Sequence, residues 1–153
     1  MGLFDFVRDA GRKLGLGRGE EKEAAAEAEK ATALKKLIVD LGLEVENLMV
    51  TFDDGVATVS GTASSREEAE KVVLALGNTQ GVSQVDDRMT HEDPTPESVF
   101  YTVVPGDSLS KISLAHYGDA MKYMVIFEAN KPMLTDPDLI YPGQVLRIPA
   151  LGD

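Results

Sequence analysis

The residues able to do acid–base, nucleophilic or metal chemistry are few and scattered. The chain has no cysteine, which excludes thiolate zinc sites, disulfide staples and a cysteine nucleophile. Its two histidines are His91, in a proline-containing stretch, and His116, beside Tyr117 near the end of a helical pattern. No recognised motif ties either to a carboxylate or a nucleophile, and no glycine-rich phosphate loop or zinc spacing occurs. Asp53-Asp54 and Asp86-Asp87 are carboxylate pairs that could attract calcium. They lack EF-hand spacing, and an Asp-Gly pair at a hairpin needs no metal. These residue types point to a binding protein rather than an enzyme.

Charge narrows the partner. The formal net charge is −11, and residues 27–93 alone carry −8. So acidic a surface repels phosphate backbones and anionic headgroups and tolerates cations, which argues against nucleic acid. Hydrophobic residues make up 43% of the chain but aromatics only 6%, with no tryptophan. Two modest cores are expected rather than one aromatic-rich core. The N-terminus interleaves acids and bases with no apolar run of signal-peptide type, and no stretch is apolar enough to span a membrane. A cytoplasmic monomer is the expectation.

The elements follow from periodicity. Leu3, Phe6, Val7, Ala10 and Leu14 fall on one face of a short amphipathic helix over 3–14, ended by Gly11, Gly15, Gly17 and Gly19. Residues 20–41 are rich in Glu, Ala and Lys and predict a second helix with Leu34, Leu37, Ile38 and Leu41 as its apolar stripe. The period then turns to alternation: 48–52 and 56–61 flank Asp53-Asp54-Gly55, a hairpin signal. Ser64 or Ser65 caps another helix whose buried face is Ala69, Val72, Val73 and Leu76, with Gly77 and Asn78 ending it. Residues 82–89 form a third strand. After Asp93-Pro94-Thr95-Pro96, a stiff extended linker, a β-α-α-β pattern runs from Tyr101 to Pro149. The class is α+β with two small domains: 1–26 a helix and Gly-rich acidic segment, 27–91 an αββαβ unit with helices on one face of a three-stranded sheet, 92–98 a linker, and 99–150 a βααβ unit.

The second half resembles the LysM family through Tyr101-Thr-Val-Val-Pro-Gly-Asp-Ser-Leu-Ser-Lys-Ile-Ser, Ile126-Phe-Glu-Ala-Asn-Lys and Ile140-Tyr-Pro-Gly-Gln-Val-Leu-Arg-Ile-Pro. The first half resembles a BON domain through Phe52-Asp-Asp-Gly-Val-Ala-Thr-Val-Ser-Gly and Gly81-Val-Ser-Gln-Val-Asp-Asp. Together with the Met-Gly-Leu-Phe-Asp-Phe-Val start, the whole chain is similar to the bacterial cytoplasmic potassium-binding proteins built from one BON and one LysM domain. That resemblance implies K⁺ as the bound species.

K⁺ is large and weakly hydrated, and selective sites replace its water with neutral oxygens, often backbone carbonyls. Helix C-termini leave their last carbonyls unpaired at the negative end of the dipole. The resemblance and this argument together nominate the main-chain carbonyls of Val7, Ala10, Arg12, Gly77, Thr79 and Val82, with the N-terminal helix docked beside the 77–82 turn. The alternative for Gly77 and Gly81 is simply a cap and a turn. The LysM resemblance implies a groove for N-acetylglucosamine polymers at Gly106, Asp107, Ser108, Asn130, Ile140 and Tyr141. The main expectation is a cytoplasmic K⁺ sensor or buffer that changes shape on binding. The competing expectation is an envelope attachment protein that holds peptidoglycan through LysM and lipid through BON. A third is an adaptor whose partner protein docks through LysM.

Overall fold

The computed structural model describes residues 2–6, 23–95 and 97–151. The first half contains β1 (Gly2–Asp5), α1 (Glu23–Asp40), β2 (Val45–Asp53), β3 (Val56–Ala63), α2 (Arg66–Gly77) and β4 (Gln84–Thr90). The second contains β5 (Val99–Thr102), α3 (Leu109–Tyr117), a 3₁₀ turn (Ala120–Lys122), α4 (Tyr123–Ala129) and β6 (Val145–Ile148). The architecture is α+β: an antiparallel pair β5–β6 follows a mixed sheet of order β1-β4-β3-β2.

Local chemistry explains most element ends. Asp54 and Gly55 have φ of 49° and 83°, the left-handed pair that a two-residue hairpin requires to match strand twist. Ser65 caps α2 by accepting a hydrogen bond from Glu68 N at 3.1 Å, with Glu67 and Glu68 at the positive end of the helix dipole. Ser108 caps α3 the same way through Lys111 N. The strand β3 alternates buried and half-buried residues, so Ala57 and Val59 face Leu34, Ile38, Val72 and Val73 across one core.

The N-terminal residues depart from the helix expected over 3–14. Gly2–Asp5 pair antiparallel with β4, Gly2 opposite Asp87 and Asp5 opposite Gln84. Residues 7–14 of that expected helix lie outside the described residues. The physical reason is the free edge of β4, whose unpaired backbone groups the segment satisfies. Phe4 and Phe6, two apart, both turn toward the core, whereas Leu3 is 59% exposed. That is strand periodicity, and the helical reading of Leu3 and Phe6 fails against it. The first sheet thus gains a fourth strand beyond the three expected.

The two halves share packing. In α2, Ala69, Glu70 and every residue from Val72 to Gly77 are buried. A helix buried on so many sides must be covered on both: β3 and β4 lie on one side and β6 on the other. Phe100 of β5 joins the first core and stacks against Phe4 with ring centroids 5.1 Å apart. The stretch before β5 is held too: Arg66 N donates to Asp93 Oδ2, Arg66 Nε to Thr95 O, and Ser98 N to Glu70 Oε2.

Candidate functional site

The turn that follows α2 carries the unusual backbone. Asn78 N bonds to Leu74 O at 2.8 Å, Thr79 N to Leu76 O at 3.2 Å and Val82 N to Thr79 O at 3.1 Å. The Thr79 hydroxyl donates back to Ala75 O at 3.0 Å, closing the last helical turn. Gly81, at φ 97°, reverses the chain into β4. These bonds leave the carbonyls of Gly77 and Val82 with no donor among the described residues, and Thr79 O with one lone pair in use. Thr79 and Val82 are fully buried. The turn therefore presents neutral oxygens in a water-poor setting, at the negative end of a twelve-residue helix.

The N-terminal strand ends at this turn. Phe6 N donates to Ser83 O at 2.8 Å, and the Phe6 ring lies flat against Gly77. A Cβ on residue 77 would meet that ring at 2.1–2.2 Å, so only glycine admits the contact. Of the six nominated carbonyls, Gly77, Thr79 and Val82 come together on one turn, and Val7, Ala10 and Arg12 lie outside the described residues. From the other side α1 contributes a cation: Lys30 Nζ donates to Gln80 O at 2.5 Å. Among the described residues no three His, Asp or Glu side chains converge as a metal cage. The four aspartates do other work. Burial pushes the Asp87 carboxyl up from its ordinary value, against a hydrogen bond from Met89 N that lowers it. Asp86 meets Arg88 at 3.0 Å. Asp53 ends β2, and Asp54 N bonds to Glu27 Oε2.

Asn78 joins the turn to the second half. Its Nδ2 donates to Val145 O at 2.7 Å and its Oδ1 accepts from Val145 N at 2.8 Å. One side-chain amide thereby acts as a strand neighbour for the outer edge of β6. Asn130 does the same for Arg147, accepting from its N at 2.9 Å and donating to its O at 3.0 Å. A second link is ionic. Arg147 Nε meets Glu70 Oε1 at 2.9 Å, and the guanidinium also reaches Ala129 O and Ser98 Oγ, each at 3.0 Å. Both charged residues are buried, and each guanidinium nitrogen finds a hydrogen-bond partner, as a buried pair requires.

The nominated groove positions have structural duties. Asp107 Oδ2 accepts from Tyr101 OH at 2.6 Å and Val104 N at 3.0 Å. The Tyr101 bond, then the Val104 N–H, hold the Asp107 carboxyl below its usual value, and the same bond raises Tyr101. Gly106 O accepts from Lys111 Nζ, and Ser108 is the cap of α3. Asn130 is 1% exposed, with its amide committed to Ile126 and Arg147. Ile140 packs on the second core. Tyr141 turns to α2, its hydroxyl 3.5 Å from Asn78 O, and burial raises its pKa. It helps line a crevice of about 200 Å³ between Leu37, Ala75 and Asn78 on one side and Met133, Leu139 and Gln144 on the other.

The sequence reading missed Lys30, Phe6 against Gly77, Asn78 and the Glu70–Arg147 pair. Two of these had a signal. An arginine inside Val145-Leu-Arg-Ile predicts a buried partner, and the apolar run Val72–Leu76 predicts a helix covered on more than one side.

Comparison with known proteins agrees with this layout. A BON domain model matches residues 26–92 and a LysM domain model residues 101–149. An Esterase Rv1288 of Mycobacterium tuberculosis is 45% identical over 53 residues, 35% of this chain and 11% of that protein. An uncharacterized protein of Deinococcus radiodurans is 39% identical over 101 residues, 59% of this chain and 39% of that one. The potassium binding protein Kbp of Escherichia coli is 45% identical over 150 residues, covering 97% of this chain and 99% of that protein. By that end-to-end similarity, with both domains in the same order, the chain belongs to the BON–LysM family of the potassium binding protein Kbp.

Proposed function

We propose that this protein binds K⁺ selectively through main-chain carbonyls where its N-terminal segment meets the 77–82 turn. It acts as a cytoplasmic K⁺ sensor or buffer, a monomer with no catalytic role. The observation that carries the reading is the seating of Phe6 on Gly77 beside carbonyls that have no donor among the described residues. Phe6 anchors the N-terminal segment at the turn, and the proposed shell joins carbonyls of Val7, Ala10 and Arg12 to those of Gly77, Thr79 and Val82. Neutral oxygens, with no carboxylate cage among the described residues, suit K⁺ over Mg²⁺ or Ca²⁺. The name of the Escherichia coli relative supports the same ion.

Occupancy reaches the LysM half through Asn78, which sits in the ion-binding turn and pairs with β6. Support for a glycan ligand rests on the LysM match alone, because Asn130 is committed to β6 and Tyr141 faces α2. The test is a calorimetric titration of ion-free protein with KCl, against NaCl at matched ionic strength. Saturable heat with K⁺ alone is expected, and its loss on deleting residues 2–12. Equal weak responses to both salts would mean screening of an acidic surface and would end the reading. Small-angle scattering that differs between K⁺ and Na⁺ is the expected sign of the shape change; superimposable curves exclude a large one.

A further inference from the structure

Lys30 has no part in the carbonyl site proposed above, yet its ammonium reaches the same turn. Its Nζ bonds to Gln80 O at 2.5 Å and lies 3.1 Å from where a Cβ on Gly81 would stand. Nζ also stands over the Phe52 ring, 5.9 Å from its centre, a cation–π contact beside the bond to Gln80 O. A primary ammonium and K⁺ are monovalent cations of similar size, and both are bound by groups of neutral oxygens. A side-chain monovalent cation therefore stands on the same turn as the carbonyls proposed for K⁺.

We propose that Lys30 is a tethered competitor for the K⁺ site, which sets its affinity. The inference rests on the carbonyl site proposed above. The ammonium holds Gln80 O of the 77–82 turn, next in the chain to the carbonyls proposed for K⁺. An arriving K⁺ either displaces Lys30 from Gln80 O or binds against its charge, and both weaken the ion. A unit charge on the same turn as the ion, in a partly hydrated setting, changes affinity on the order of tenfold. Such a lysine keeps a carbonyl site from saturating at the lowest K⁺ concentrations, as a sensor of an abundant ion needs.

The test is calorimetric titration of wild type, Lys30→Met and Lys30→Arg with KCl and with NaCl, each variant first checked by thermal melting. Lys30→Met should bind K⁺ several-fold to about tenfold more tightly, and Lys30→Arg, which keeps the charge, should stay within about twofold of wild type. The wild-type protein gives a second readout in the ¹⁵Nζ resonance of Lys30, which should shift with stoichiometric K⁺ but not Na⁺. This second readout decides the matter even if Lys30→Met does not fold. A K⁺-binding wild type with an unmoved Lys30 resonance, or a folded Lys30→Met of equal or weaker affinity, overturns the competitor and leaves the carbonyl site standing. A wild type indifferent to K⁺ overturns both.

Discussion

Asn78→Ala tests the joint between the 77–82 turn and the LysM half. The native side chain gives β6 what a neighbouring strand would, through contacts of 2.7 and 2.8 Å to Val145. Alanine removes both partners at a position only 6% exposed. A buried donor or acceptor left without a partner costs about 1–3 kcal/mol, so two orphaned groups bound the loss at roughly 2–6 kcal/mol. Water entering the crevice beside Asn78 rehydrates part of Val145, which brings the expected value to about 2–3 kcal/mol. Asn78→Asp should cost more, because it keeps the acceptor for Val145 N but sets a carboxylate oxygen against Val145 O. The assay is urea unfolding followed by amide resonances from both halves. Wild type should unfold in one transition, whereas Asn78→Ala should show the LysM resonances leaving separately. Asn130→Ala is the control: it orphans the same two groups on Arg147 from within LysM, and should lower LysM stability without the amide of the 77–82 turn being touched. A single coincident transition in Asn78→Ala, with a loss below about 0.5 kcal/mol, refutes the reasoning.

Three further outcomes are expected. Gly77→Ala places a methyl 2.1–2.2 Å from the Phe6 ring at a helical position that accepts alanine, so it should dislodge the N-terminal strand and weaken K⁺ binding at least tenfold; Phe6→Ala added to it should relieve the clash, and unchanged affinity in Gly77→Ala alone counts against the site. Glu70→Ala leaves Arg147 buried beside Ala129 O and Ser98 Oγ, with Glu67 3.9 Å away; these remaining partners put the loss near 2–3 kcal/mol rather than the roughly 3–5 kcal/mol of a fully broken pair, measured by denaturation. In Asp107→Asn the Tyr101 hydroxyl should ionise at lower pH, read by ultraviolet titration, because its raised pKa comes first from the bond to Asp107. Asp107 is depressed in the folded state, so its stabilisation is present above the ordinary carboxylate range and is lost as pH falls through it; the variant's stability should fall less on acidification.

Much of this protein is legible in the order of its residues. The change from 3.6-residue to two-residue periodicity marks α1, the β2–β3 hairpin and α2. Asp54-Gly55, Ser65 and Ser108 mark their turns and caps, because each rests on backbone geometry that a residue settles with its neighbours. The K⁺ reading came from similarity in the order of residues joined to the chemistry of helix ends. What the sequence could not settle depends on partners far along the chain. Residues 2–5 form a strand only because β4 offers a free edge, and a four-residue segment carries too few periods to choose for itself. Asn78 looks like a helix stop in isolation; β6 makes it a strand's stand-in sixty-seven residues away. Lys30 reads as one more solvated lysine on a helix of Glu, Ala and Lys until folding brings Gln80 O to its ammonium. Local geometry is set by adjacent residues, whereas the pairing of a buried donor with an acceptor is set by packing, and only the tertiary structure brings those two together.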